Sequence, residues 1–219
     1  MKVYLPKILI FVLFCIINLK LDAKEFKIIS LQDFPGIEKI KFQDESDQQV
    51  LSIKKYYPNA NFTVPKSELI HFYGIHNDTK VSSKKPILRL SFENIEDDSI
   101  IFLTLDEDQN GKINHEIFIN DQTNFPPLST LIMNLSDNKV VAKIGNEIIK
   151  ILPNSRTLFN FPSNERGSFS DKVVFAARKG PHIDYFHSTF WRVPKGKKTI
   201  CIIEYNLEQN IHILSQILL

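Results

Sequence analysis

This chain is poor in cysteine and in glycine, and each shortage closes off a class of protein. Two cysteines occur in 219 residues. Cys15 sits inside an apolar N-terminal run, so Cys201 is alone in the rest of the chain and no internal disulfide is expected there. Seven glycines leave little material for phosphate loops or dinucleotide fingerprints. No Gly-x-Ser-x-Gly elbow of a serine hydrolase is present. No segment keeps a 3.6-residue period for three turns, and alanine is scarce, which argues against a helical fold. The longest apolar run, Ile8 to Ile17, is about half the ~20 residues that cross a bilayer as a helix.

What is present begins with a leader. Lys2 and Lys7 precede the apolar run, and Leu21-Asp22-Ala23 offers a small residue for cleavage. That order predicts a signal peptide over 1–23 and export to the periplasm or beyond. Phe14 before Cys15 does not suit a lipoprotein signal. Taking 1–23 away leaves 27 less three basic and 25 less one acidic residues, 24 of each, so the mature chain is formally neutral. Neutrality predicts no field of one sign to attract nucleic acid or an anionic membrane, and no stable membrane insertion after cleavage.

Phe, Ile, Val, Thr and Tyr are plentiful, and these residues suit pleated, half-buried surfaces. Alternating segments are found at 25–29, 38–42, 50–54 and 87–92, and 69–75 and 113–119 are also strand-like. Ser99 to Leu105 is more continuously apolar, as in a strand covered on both faces. Asn120 to Pro127 is polar and holds Pro126-Pro127, which cannot donate to a ladder. The strand rhythm then restarts at 130–135, 139–144, 147–152, 156–161, 172–178, 183–193, 197–205 and 211–218. Gly145-Asn146 between two such segments predicts a hairpin. Strands at roughly 8–12 residue spacing predict an all-β fold of two tandem, small, immunoglobulin-like β-sandwich domains, 24–123 and 128–219.

The second half carries a further pattern. Asn134-Leu135-Ser136, Pro153-Asn154, Trp191-Arg192 and the basic turn Lys195-Gly196-Lys197-Lys198 follow one another in order. The chain resembles a group of exported, uncharacterised two-β-domain proteins of Verrucomicrobia-like bacteria, though Asn154 stands where that group usually has glycine. A more distant likeness is to the periplasmic accessory protein of alginate acetylation. The resemblance implies fold and location, and no site residues.

Several constellations could carry chemistry. Asp106, Asp108 and Asn110 match the front of an EF-hand calcium loop, but Ile117 holds the place of its bidentate carboxylate, and an acidic hairpin turn explains the same residues. His182, Asp184 and His187 lie close in sequence, but strict alternation sends His187 to the opposite face from the other two. His71, His76, His115 and His212 are isolated. Cys201 lies in an apolar strand and reads as a core residue. Tyr185, Phe186, Phe190 and Trp191 form an aromatic cluster. Part of it is core, and Tyr185 and Trp191 are the candidates for contact with a ligand. Lys195, Lys197 and Lys198 read as a solvated turn, and the sequons at Asn61, Asn77 and Asn134 as unused. The expected function is an exported non-catalytic binding or structural module without a cofactor, its partner a protein or a glycan. The alternative is a carbohydrate-binding or polysaccharide-modification accessory protein.

Overall fold

The computed structural model describes residues 23–34, 37, 39–42, 50–58, 61–65, 69–76, 80–81, 86–106, 112–162 and 167–219. The predicted leader lies outside them, apart from Ala23. In chain order the first half forms β1 (Ala23–Ser30), β2 (Lys39–Phe42), β3 (Val50–Ser52), β4 (Phe62–Pro65), β5 (Leu69–His76), β6 (Lys80–Val81), β7 (Leu88–Ser91), β8 (Ser99–Asp106) and β9 (Lys112–Phe118). The second half forms β10 (Ser129–Asn134), β11 (Lys139–Ile144), β12 (Glu147–Ile151), β13 (Ser155–Asn160), β14 (Phe169–Lys179), β15 (His182–Val193), β16 (Thr199–Asn206) and β17 (Ile211–Leu218). The fold is all-β, as the alternation predicts.

These strands make four sheets. Sheet 1 is β3-β2-β5-β6, with β7 also on β5, and sheet 2 is β4-β1-β8-β9. Sheet 3 is β13-β10-β16-β17, and sheet 4 is β12-β11-β14-β15. Alternation along each inner strand fixes how they stack. Phe26 and Ile28 of β1, with Ile101 and Leu103 of β8, pack against Ile40, Ile70, Phe72 and Leu90 of sheet 1. The intervening residues Ile29, Ile100 and Phe102 point the other way, onto Leu131 and Met133 of β10 and Ile200 and Ile202 of β16. Ile132, Cys201 and Ile203 then face Val140, Phe175 and Trp191 of sheet 4. The result is a stack in the order 1-2-3-4 with three apolar layers. The two inner sheets are buried on both faces, which is why Ile100 to Leu103 is an unbroken apolar run.

The inner sheets share one connectivity. In each, the first strand of its half of the chain pairs in parallel with the penultimate one: β1 with β8, and β10 with β16. Antiparallel partners flank each pair. The connection between halves is fastened to the stack. Phe125 is fully buried in the middle layer, edge-on to Phe118 at 5.6 Å between ring centroids. The Lys198 ammonium donates to Asn120 Oδ1 at 2.9 Å and to the Asn120 carbonyl at 3.2 Å. Lys198 is therefore a clamp on this connection, where the sequence suggested a solvated turn. Glu204 accepts from Lys55 Nζ and from the Tyr56 hydroxyl, each at 2.6 Å, and Arg156 pairs with Glu116.

The Asn134-Leu135-Ser136 segment has a structural purpose. Asn134 is fully buried, and its amide donates to the Asn138 and Leu152 carbonyls at 2.8 and 2.9 Å. Its Oδ1 accepts from the Ser136 hydroxyl at 2.7 Å. One side chain thus ties two turns to the end of β10, and its burial removes that sequon from the surface. Asn154 takes the φ of +47° that glycine would adopt more freely, a region asparagine tolerates. Gly145 is constrained by its backbone, with a φ of +57° that side-chain-bearing residues rarely adopt.

Replacing Asn134 by Ala removes two hydrogen bonds to turn carbonyls that each keep a hydroxyl donor, Ser136 on Asn138 and Ser155 on Leu152, and should cost roughly 2 kcal/mol, read from urea denaturation. A loss under about 1 kcal/mol would show that the amide is dispensable. Tyr56 gives a pH test. Burial, then the hydrogen bond and charge of Glu204, hold its phenol well above the ordinary range. An unfolded tyrosine titrates near ~10, so above that pH the unfolded chain releases a proton that the folded one keeps. Stability from this site is full below about pH 10 and falls as pH rises beyond it. The Tyr56→Phe variant should lose stability less steeply than the parent between about pH 9 and 11, and equal slopes would count against this account.

Candidate functional site

Sheet 4, like sheet 1, is an outer layer of the stack, so one of its faces has no sheet above it. Its register says which residues lie there. Val140, Ala142 and Ile144 of β11 point into the core, leaving Lys139, Val141 and Lys143 outward. Pairing then puts Ile148 and Lys150 of β12 on the outer face. Lys172, Val174, Ala176 and Arg178 of β14 lie beside them, followed by Ile183, Tyr185, Ser188, Phe190 and Arg192 of β15. A groove of about 680 Å³ runs over this face. Val141, Val174 and Ala176 line its floor, with Ile148 on one side and Ile183 and Tyr185 on the other. The side residues stand proud of the surface, with Ile148 66 % exposed, Ile183 63 % and Tyr185 72 %. Phe190, 60 % exposed, lies farther along the same face.

Charge on this face has one sign. Lys139, Lys143, Lys150, Lys172, Arg178 and Arg192 all occupy outward register positions. The acidic residues of the same strands are Glu147, Asp171 and Asp184. They pair with Ile144, Trp191 and Ala177, which are buried, and so fall in the opposite phase. Overall neutrality therefore hides a segregation. Residues 129–219 carry 12 Lys and Arg against 7 Asp and Glu, whereas 24–128 carry 12 against 17. The expectation of no one-signed field, drawn from composition, does not hold for this surface. Within β11 and β14 the alternation already placed every charge of the outward phase as a cation, a signal that sequence reading could have used.

The two proposed ligand contacts part company. Tyr185 is on the groove, but Trp191 is 3 % exposed and packs in the core against Phe161 and Phe175. Six residues apart, they would share a face on a regular strand. Between Phe175 and Ala176 the β14–β15 register shifts, so Phe186 is an extra residue in β15. That bulge reverses the phase on its two sides. It also returns His187 to the inward phase, level with His182 and Asp184, where alternation alone separated them. His187 sits edge-on to Phe175, 6.1 Å between ring centroids. The three remain spread along an extended strand, and the described residues include no group of three or more His, Cys, Asp or Glu placed to hold a metal ion. Asp108 and Asn110 lie outside the described residues, and Asp106 is described only as the last residue of β8, paired with Lys112.

Two titratable groups under sheet 4 are shifted by their surroundings. Burial lowers the His187 imidazole, which favours its neutral form. Burial raises the Cys201 thiol to about 12, against a smaller opposing effect of its 3.4 Å contact with the Thr130 hydroxyl. A thiol so shifted is not a nucleophile at neutral pH. Cys201 is a small core residue, as its apolar strand suggested. In the chain without residues 1–23, Ellman's reagent should find no reactive thiol in the native state and one after denaturation. Rapid native reaction would show that the strand opens.

The groove is lined mainly by aliphatic side chains, with Tyr185 on one side and Lys143 and Arg178 as its cations. Compared with models of protein families and with curated proteins, the chain matches none.

Proposed function

We propose that this chain is exported and acts as a non-catalytic binding module, taking a protein partner on the outer face of sheet 4. In this reading each half, 24–123 and 128–219, is a small immunoglobulin-like sandwich, and residues 1–23 are the export signal. The observation that carries the proposal is the groove. It offers exposed Ile148, Ile183 and Tyr185 above an aliphatic floor. Large apolar side chains grouped on a surface mark association sites more often than chance exposure.

A glycan partner is supported less well. Sugar rings stack on aromatic faces and need polar groups to fix their hydroxyls. Of the two aromatics once paired for that role, only Tyr185 lies on the groove, and the remainder of its lining is mainly aliphatic. A photo-crosslinking residue in place of Tyr185, in the exported protein in its native host, tests the choice. The same residue in place of Tyr57, 62 % exposed in the other half, is the control. Protein adducts specific to position 185 are expected. Glycan adducts alone, or adducts equal to the control, would overturn the reading.

A further inference from the structure

The groove also constrains the shape and charge of what fills it. Its sides belong to β12 and β15, and β11 and β14 lie between them. Three strand spacings of ~4.8 Å put the sides about 14 Å apart. The floor is low because Val141, Val174 and Ala176 are small. A single extended chain, with backbones spaced ~4.8 Å, would leave much of that floor uncovered. An α-helix, ~10 Å across with its side chains, fits between Ile148 and Tyr185 and can lay one apolar stripe on the floor. Lys143 and Arg178 line the groove, and Lys139 and Lys150 stand on the same face beside it. Long cationic side chains at such positions reach up the flanks of a seated helix.

From this we infer that sheet 4 docks an amphipathic helix of the partner, apolar on one stripe and acidic along its flanks. The inference rests on the proposed binding role and adds the partner's chemistry. Charge complementarity selects it over other occupants. The chain's own leader bears Lys2, Lys7 and Lys20 against Asp22 and is of the wrong sign. A second copy would oppose cations to cations if the same faces met. A bilayer would take the projecting Ile148, Ile183 and Tyr185 but leave the recessed floor of Val141, Val174 and Ala176 unfilled. Single-stranded nucleic acid would have to set phosphates over an aliphatic floor.

The test uses fluorescein-labelled synthetic peptides and fluorescence anisotropy on the chain without its leader. One peptide has leucines at helical spacing flanked by glutamates. A second exchanges the glutamates for lysines, and a third interrupts the acidic helix with proline. The acidic helix should bind at least tenfold more tightly than either control and weaken with added salt. The Lys143→Glu/Arg178→Glu double variant, changed at exposed or groove-lining positions, should prefer the lysine peptide instead. Hydrogen exchange should slow in 141–150 and 174–185 when the acidic peptide is bound.

Equal affinity for the acidic and basic peptides would overturn the inference, as would undiminished binding of the proline form. So would absence of binding by the acidic helix. Tighter binding to phosphatidylglycerol vesicles or to oligo-dT would overturn it in favour of those occupants. The crosslinking experiment keeps the two claims apart. Protein adducts from position 185 that map to a basic or extended segment defeat the helix inference and leave the binding role standing.

Discussion

Everything in this architecture depends on covering two sheets on both faces. β1 and β8, and again β10 and β16, carry large apolar residues at successive positions, so neither face of the inner sheets tolerates water. Each pair is also parallel, an arrangement found mostly where both faces are covered. Sheets 1 and 4 cover the outer faces, and the inner sheets cover each other. The middle layer that results, from Ile29 to Ile217, joins halves that the sequence divides at Pro126-Pro127. Phe125 enters that layer next to the prolines, so the connection between halves is part of the core.

That stacking decides where a binding surface could arise. Inner sheets have no free face, and what they expose are edges and turns. The outer sheets 1 and 4 are different: in sheet 4 the inward phase is consumed by Val140, Phe175 and Trp191, and the outward phase is left to solvent. A solvated phase needs only polar residues, yet this one holds Ile148, Ile183, Tyr185 and Phe190 among six cations. Nothing in the core requires those side chains, since they do not contribute to it. Their presence at positions that alternation leaves free is the strongest argument that the face is used.

Much of the fold was legible from alternation. The hairpin at Gly145-Asn146 and the turns at Gly180-Pro181 and Pro194 to Gly196 fall where breakers interrupt apolar rhythm, and the strands between them follow. The parallel partnership of β1 with β8 was not legible, because it spans about seventy residues and leaves no local mark. Nor was β4, four residues closed by Pro65, too short to show a period. The doubly buried character of β8 could be read, but not which sheet would lie on each side.

The site was legible only in part, and the reason is one residue. Alternation assigns Tyr185 and Trp191 to a common face and His187 with them. Phe186 breaks that parity by adding a position to β15 without a partner on β14. Its own ring packs on Phe175 and stacks on His212, 5.0 Å between centroids, so the extra residue is held by contacts with β14 and β17. Sequence periodicity carries no sign of such an insertion, because the extra residue shows only in the pairing of β15 with β14. The bulge sends Trp191 into the core and turns Tyr185 out to the groove. The aromatic pair that looked like one surface feature is therefore divided between stability and contact. A strand of regular pleat could place both of these side chains in the core or both outside, but could not have done one of each.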